Sequence, residues 1–105
     1  MMTTQIEALC AKLNEIGIDA KIWKGLRIYL NGFGRDIKAF FEFEDSEALQ
    51  WDDLLEGTSL QVYTNANQSQ QWKLNRYKSV KFEIMKRLER GGVIDKICET
   101  SEEVI

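Results

Sequence analysis

Ile18-Asp19-Ala20-Lys21-Ile22-Trp23-Lys24-Gly25-Leu26-Arg27-Ile28-Tyr29-Leu30-Asn31 is the stretch that decides the fold class. Its apolar residues recur at every second position, with Ile18, Ala20 and Ile22 before Lys24-Gly25 and Leu26, Ile28 and Leu30 after it. Each half therefore presents one apolar face, as half-buried strands do. Lys24-Gly25 reads as the turn that folds the two halves into an antiparallel hairpin.

Outward from this hairpin the period changes. On the N-terminal side, Ile6, Leu9, Cys10, Leu13 and Ile16 fall on one stripe of a helix; Thr4 and Glu7 form a T-x-x-E capping box at its start, and Gly17 suits the left-handed position at its end. On the C-terminal side, a loop over residues 31–36 leads into a third strand, where Ile37, Ala39, Phe41 and Phe43 alternate with Lys38, Phe40, Glu42 and Glu44. Residues 46–57 admit two readings: a short helix capped by Ser46 and stopped by Gly57, or an ordered loop. Leu60, Val62 and Thr64 alternate with Gln61 and Tyr63 in a fourth strand. After a polar break at residues 65–69, a long helix runs from Gln70 to Arg90 and stops at Gly91-Gly92. Residues 93–98 read as a further short turn of helix, and residues 99–105 as a loose acidic tail. The expectation is one α+β domain over residues 1–105. It has an antiparallel sheet of about four strands in the order α-β-β-β-(α)-β-α, with the two main helices on one face.

Composition narrows the chemistry. The chain has 105 residues, no His, no Pro and two Cys. Without His, the Ser-His and Cys-His nucleophile pairs and His-ligated metal or haem sites are ruled out. Cys10 and Cys98 lie far apart without C-x-x-C spacing, and Cys10 sits on the apolar stripe as a small core residue. The reading is a protein that is not an enzyme, with no catalytic residues, no cofactor and no metal site. The opening MMTTQIEALC has neither a basic n-region nor an apolar h-region, and no apolar run approaches the roughly 18 residues of a membrane span. A cytoplasmic protein without membrane contact is expected.

The two faces of the expected sheet differ. One is continuous and apolar, from Ile18 through Leu26, Phe41 and Phe43 to Val62, and forms the core. The reverse face carries Lys21, Trp23, Arg27, Tyr29, Lys38, Phe40 and Tyr63. Aromatics interleaved with bases can stack unpaired nucleobases while cations meet phosphates. The same pattern also serves cross-strand packing or a homodimer through this face. Net charge is −3 overall, yet residues 20–38 sum to +4, residues 42–56 to −7 and residues 72–90 to +5. Arg76, Lys86, Arg87 and Arg90 gather on the outer side of the final helix as a second basic surface.

Three smaller features complete the inventory. Gly32-Phe33-Gly34-Arg35 lacks the third glycine and the following helix of a dinucleotide loop, so it reads as a hairpin turn with Phe33 and Arg35 exposed at its tip. Lys81 interrupts the apolar stripe of the last helix, where it can snorkel, pair with a carboxylate or serve chemistry with a depressed pKa. The block over 42–56 is a solvated acidic edge or a phosphate-mimicking surface. Together these lead to a small non-enzymatic binding module that uses its aromatic and basic face on a single-stranded nucleic acid or a partner protein. The alternatives are an inhibitor or adaptor of the anti-CRISPR type that blocks a nucleic-acid-handling protein, and a homodimeric structural protein.

Overall fold

A computed structural model describes residues 4–24 and 26–95. Helix α1 (Gln5–Glu15) precedes strands β1 (Asp19–Trp23), β2 (Arg27–Asn31) and β3 (Ile37–Glu42); helix α2 (Trp51–Glu56), strand β4 (Leu60–Thr64) and helix α3 (Gln70–Arg90) follow. The strands form one antiparallel sheet in the order β1-β2-β3-β4. This is the α+β domain expected from the sequence. Residues 46–57 combine both readings: 51–56 are helical, but the N-cap is Gln50 without a side-chain bond, and Ser46 lies in a preceding turn.

Local signals explain the element ends. Thr4 accepts the Glu7 N–H (3.0 Å) and Glu7 Oε1 accepts the Thr4 N–H (2.9 Å), so the capping box is complete. Ser69 caps α3 by accepting the Trp72 N–H. Helices α1, α2 and α3 close with the same local bond, from an N–H to the carbonyl five residues before it: Ile18 N–H to the Leu13 carbonyl (2.9 Å), Thr58 to Asp53 (2.7 Å) and Val93 to Leu88 (2.8 Å). Gly17, Gly57 and Gly92 supply the left-handed residue that this closure needs.

The core lies between one sheet face and the helices. Ile6, Leu9 and Leu13 of α1, Leu54 of α2, and Val80, Ile84, Met85 and Leu88 of α3 meet Ile18, Ala20, Ile28, Leu30, Ala39, Phe41, Phe43, Leu60 and Val62. Gly91 lets α1 and α3 approach each other: a Cβ there would lie 2.6 Å from Ile16 Cδ1. Cys10 packs half-buried at the margin of this core, and burial pushes its thiol pKa up.

Three positions depart from the sequence reading. Ile22 and Leu26 belong to the apolar alternation but are exposed at the turn end of the β1–β2 hairpin. Leu74 falls on the apolar side of α3 yet is 44% exposed, because contact with the core begins only at Tyr77. The Gly25 half of the Lys24-Gly25 turn, the last residues of the expected 93–98 helical turn, Cys98 and the acidic tail lie outside the described residues; residues 93–95 are bends, not helix.

Candidate binding surface

The pleat places Lys21, Trp23, Arg27, Tyr29, Lys38, Phe40 and Tyr63 together on the face away from the core. The register sets Lys21 opposite Tyr29, Trp23 opposite Arg27, Tyr29 opposite Phe40 and Lys38 opposite Tyr63. One ring from each strand enters a continuous row. Trp23 meets Tyr29 edge-on at 6.2 Å, Tyr29 lies 5.1 Å from Phe40, and Phe40 stacks on Tyr63 at 6.0 Å. None of the four belongs to the core beneath the helices.

The row is uneven in access, which the sequence pattern does not reveal. Tyr63 is 56% and Trp23 47% exposed, whereas Phe40 is only 3% exposed. Phe40 is covered from its own side of the sheet, flanked by Tyr29 and Tyr63 and with the Arg27 guanidinium 4.5 Å above its ring. It is therefore a support for the row and not an open stacking surface, which corrects the expectation for this ring.

The cations divide in the same way. Arg27 Nη1 donates to the Tyr29 hydroxyl (3.1 Å) and Arg27 Nε to Glu42 Oε2 (2.8 Å), and these bonds raise the guanidinium pKa further. Lys24 Nζ lies 4.4 Å from the Trp23 ring centroid and Lys38 Nζ 5.7 Å from that of Tyr29. Among the described residues, Lys21, Lys24 and Lys38 have no carboxylate within salt-bridge distance; Arg27 alone of these cations is paired. Arg27 holds the rings in place, and the lysines remain available to an outside anion.

The second basic surface does not assemble as expected. Arg76 turns from the outer side of α3 to Asp36, with Nη2–Oδ1 at 2.9 Å and Nε–Oδ2 at 3.2 Å, and it also donates to the Phe33 carbonyl. With Thr64 donating to Oδ2 as well, the Asp36 carboxyl is held at about 2, the Arg76 bonds being the main cause. Gly34, at φ +139, is the point of closest approach, since a Cβ there would collide with Arg76 Nη2. Phe33, expected at an exposed tip, is 6% exposed and part of the core cluster, with the Arg87 guanidinium 4.9 Å from its ring. The glycines on either side, both at positive φ, let the loop fold this ring inward. Arg87 also pairs with Glu83 and Lys86 with Glu89, whereas Arg35 and Arg90 are exposed.

Lys81 snorkels: its Nζ donates to the Tyr77 hydroxyl at 2.8 Å, and its stem passes Gly57. Among the described residues, no three acidic or thiol side chains converge on a metal position, and no helix is long and apolar enough to cross a membrane. The chain matches no protein-family model, no curated protein and no solved structure.

Proposed function

We propose that the protein is a non-enzymatic binding module whose aromatic and basic sheet face takes single-stranded nucleic acid. The observation that carries this reading is the pairing of two exposed rings, Trp23 and Tyr63, with three cations, Lys21, Lys24 and Lys38, that lack carboxylate partners on a face the core does not use. Exposed rings stack bases regardless of sequence, and lysines meet phosphates as point charges.

Fluorescence anisotropy with labelled single- and double-stranded DNA and RNA over a salt series tests this. Trp23 and Tyr63 are the rings to remove, because both are exposed and their loss leaves the core intact. Each Ala substitution is expected to weaken single-strand binding about tenfold, as one stacked base is worth about 1–3 kcal/mol. Lys38→Ala should shallow the salt dependence. Absence of binding at low salt would falsify the reading.

One observation favours a second reading, an adaptor or inhibitor that binds a basic protein groove. Glu42, Glu44, Asp45, Glu47, Asp52 and Glu56 are exposed along one segment, and within it only Glu42 is in an ion pair among the described residues. Such a row of carboxylates can imitate a phosphate backbone. Replacing Asp45, Glu47, Asp52 and Glu56 with Gln or Asn would abolish that contact while leaving nucleic-acid binding unweakened, which separates the two.

A further inference from the structure

Where β3 ends and β4 begins, the molecule holds a half-enclosed cavity of about 220 Å³. Backbone bonds bring its walls together. The Glu42 N–H donates to the Ser59 carbonyl (3.0 Å), which sets Ser59 beside Glu42 across the strand pair. The Thr58 and Ser59 N–H groups reach back to the Asp53 carbonyl (2.7 and 3.5 Å), which ties α2 to the start of β4. Glu42, Phe43, Glu44, Asp53 and Ser59 all line the space.

Carboxylates alone would mean little, since a solvated acidic edge has the same composition. Ser59 is a separate observation. It is the one polar residue buried with the core among the described residues, at 9% exposed. The neighbouring Thr58 hydroxyl donates to the Asp53 carbonyl (3.2 Å), whereas the Ser59 hydroxyl meets no hydrogen-bond partner among the described residues. No fully enclosed side-chain oxygen or nitrogen lacks a partner among those residues, so the Ser59 hydroxyl is one that the cavity itself reaches. A polar group so placed costs free energy unless a molecule in the cavity bonds to it. The charge around it is negative. Arg27 pairs with Glu42 but does not line the cavity, and Glu44 and Asp53 have no cation within salt-bridge distance among the described residues.

We infer that this cavity binds a guanidinium group, the head of an arginine side chain. Other cations fit less well. A hard metal ion needs several converging oxygens, and among the described residues no three acidic or thiol side chains converge on one position. A quaternary ammonium has no N–H for the Ser59 hydroxyl or the carboxylates. A primary ammonium is strongly hydrated, and a space walled in part by Phe43 and Ala48 removes that water at a cost. A guanidinium is weakly hydrated. Its planar fork can meet two carboxylates and a hydroxyl while its flat face lies on the apolar wall. The volume suits one such head and its stem, being smaller than the roughly 300–1,000 Å³ of a pocket for a larger ligand. The cavity lies apart from the ring row and from the outer carboxylates Asp45, Glu47, Asp52 and Glu56, so this site and the two readings above can fail separately.

Titrating methylguanidinium into the isotope-labelled full chain at fixed ionic strength should move the amide NMR signals of Glu44, Asp53 and Ser59 to saturation, with a Kd in the millimolar range for so small a probe. Methylammonium should bind several-fold more weakly, and tetramethylammonium should not saturate. Ser59→Ala and Asp53→Asn should each weaken methylguanidinium binding about tenfold, as loss of a bond to a charged group does, with an unchanged circular dichroism spectrum. D45N/E47Q, outside the cavity, should leave it unaltered. An acetylated and amidated Gly-Arg-Gly tripeptide and free arginine identify the source: tighter binding of the tripeptide marks an arginine of a protein partner, tighter binding of the amino acid a small-molecule ligand. Shifts that rise without saturating, an equal response to methylammonium, or binding indifferent to Ser59→Ala and Asp53→Asn overturns the inference.

Discussion

The two halves of α3 are held by different forces. Its C-terminal half contributes Val80, Ile84, Met85 and Leu88 to the core and closes against Ile16 at Gly91. Its N-terminal half has no fully buried side chain: Tyr77 packs half-buried at the margin of the core, Trp72 and Leu74 are exposed, and Arg76 ties it to Asp36 and the Phe33 carbonyl. One half is positioned by area removed from water, the other chiefly by a directional, charge-assisted clamp beside the half-buried Tyr77. Regular apolar spacing along a helix therefore does not mean uniform burial, since the sheet beneath is shorter than the helix.

Substitutions along α3 put this contrast to the test, beginning with the largest effect. Leu88→Ala, at a fully buried site, should cost about 3 kcal/mol in urea unfolding; a loss near zero would break the picture of a C-terminal anchor. Gly91→Ala should cost about 1–3 kcal/mol through collision with Ile16, and in an Ile16→Ala background most of that cost should vanish, which a double-mutant cycle reads directly. Arg76→Ala should cost less than Leu88→Ala but alter acid sensitivity. Asp36, held at about 2 against an ordinary 3.8, favours the fold at neutral pH, and that contribution is lost as pH falls from about 4 toward 2. Carboxyl NMR should place its midpoint near 2 in the native protein and close to the ordinary value in Arg76→Ala. Smallest of all, Trp72→Ala should change stability by no more than about 0.5 kcal/mol.

The fold was largely legible because its signals are local. Alternation in residues 18–31 and 37–43, the capping box at Thr4 and Glu7, and the helix over Gln70–Arg90 each depend on neighbours a few positions away, and each appears as read. The binding face was legible to the extent that pleat position assigns a side: the four rings do form one row. Access to that row was not legible. Phe40 and Tyr63 occupy equivalent pleat positions, yet one is central and covered by Arg27 while the other lies on an edge strand. The clamp of Arg76 on Asp36 spans 40 positions, and nothing in either residue's surroundings announces it.

What the sequence alone determined is what periodicity and caps can encode: the order of elements, the side of the sheet each residue takes, and the exclusion of histidine chemistry. Only the tertiary structure decided which apolar residues are truly inside, which cations are already spent on internal partners, and which sheet edge is closed. Those outcomes depend on the lengths and relative placement of packed elements. Asn14 closes the β1 edge because α1 lies alongside it, and Leu60 and Val62 of β4 are buried because α3 packs over that strand.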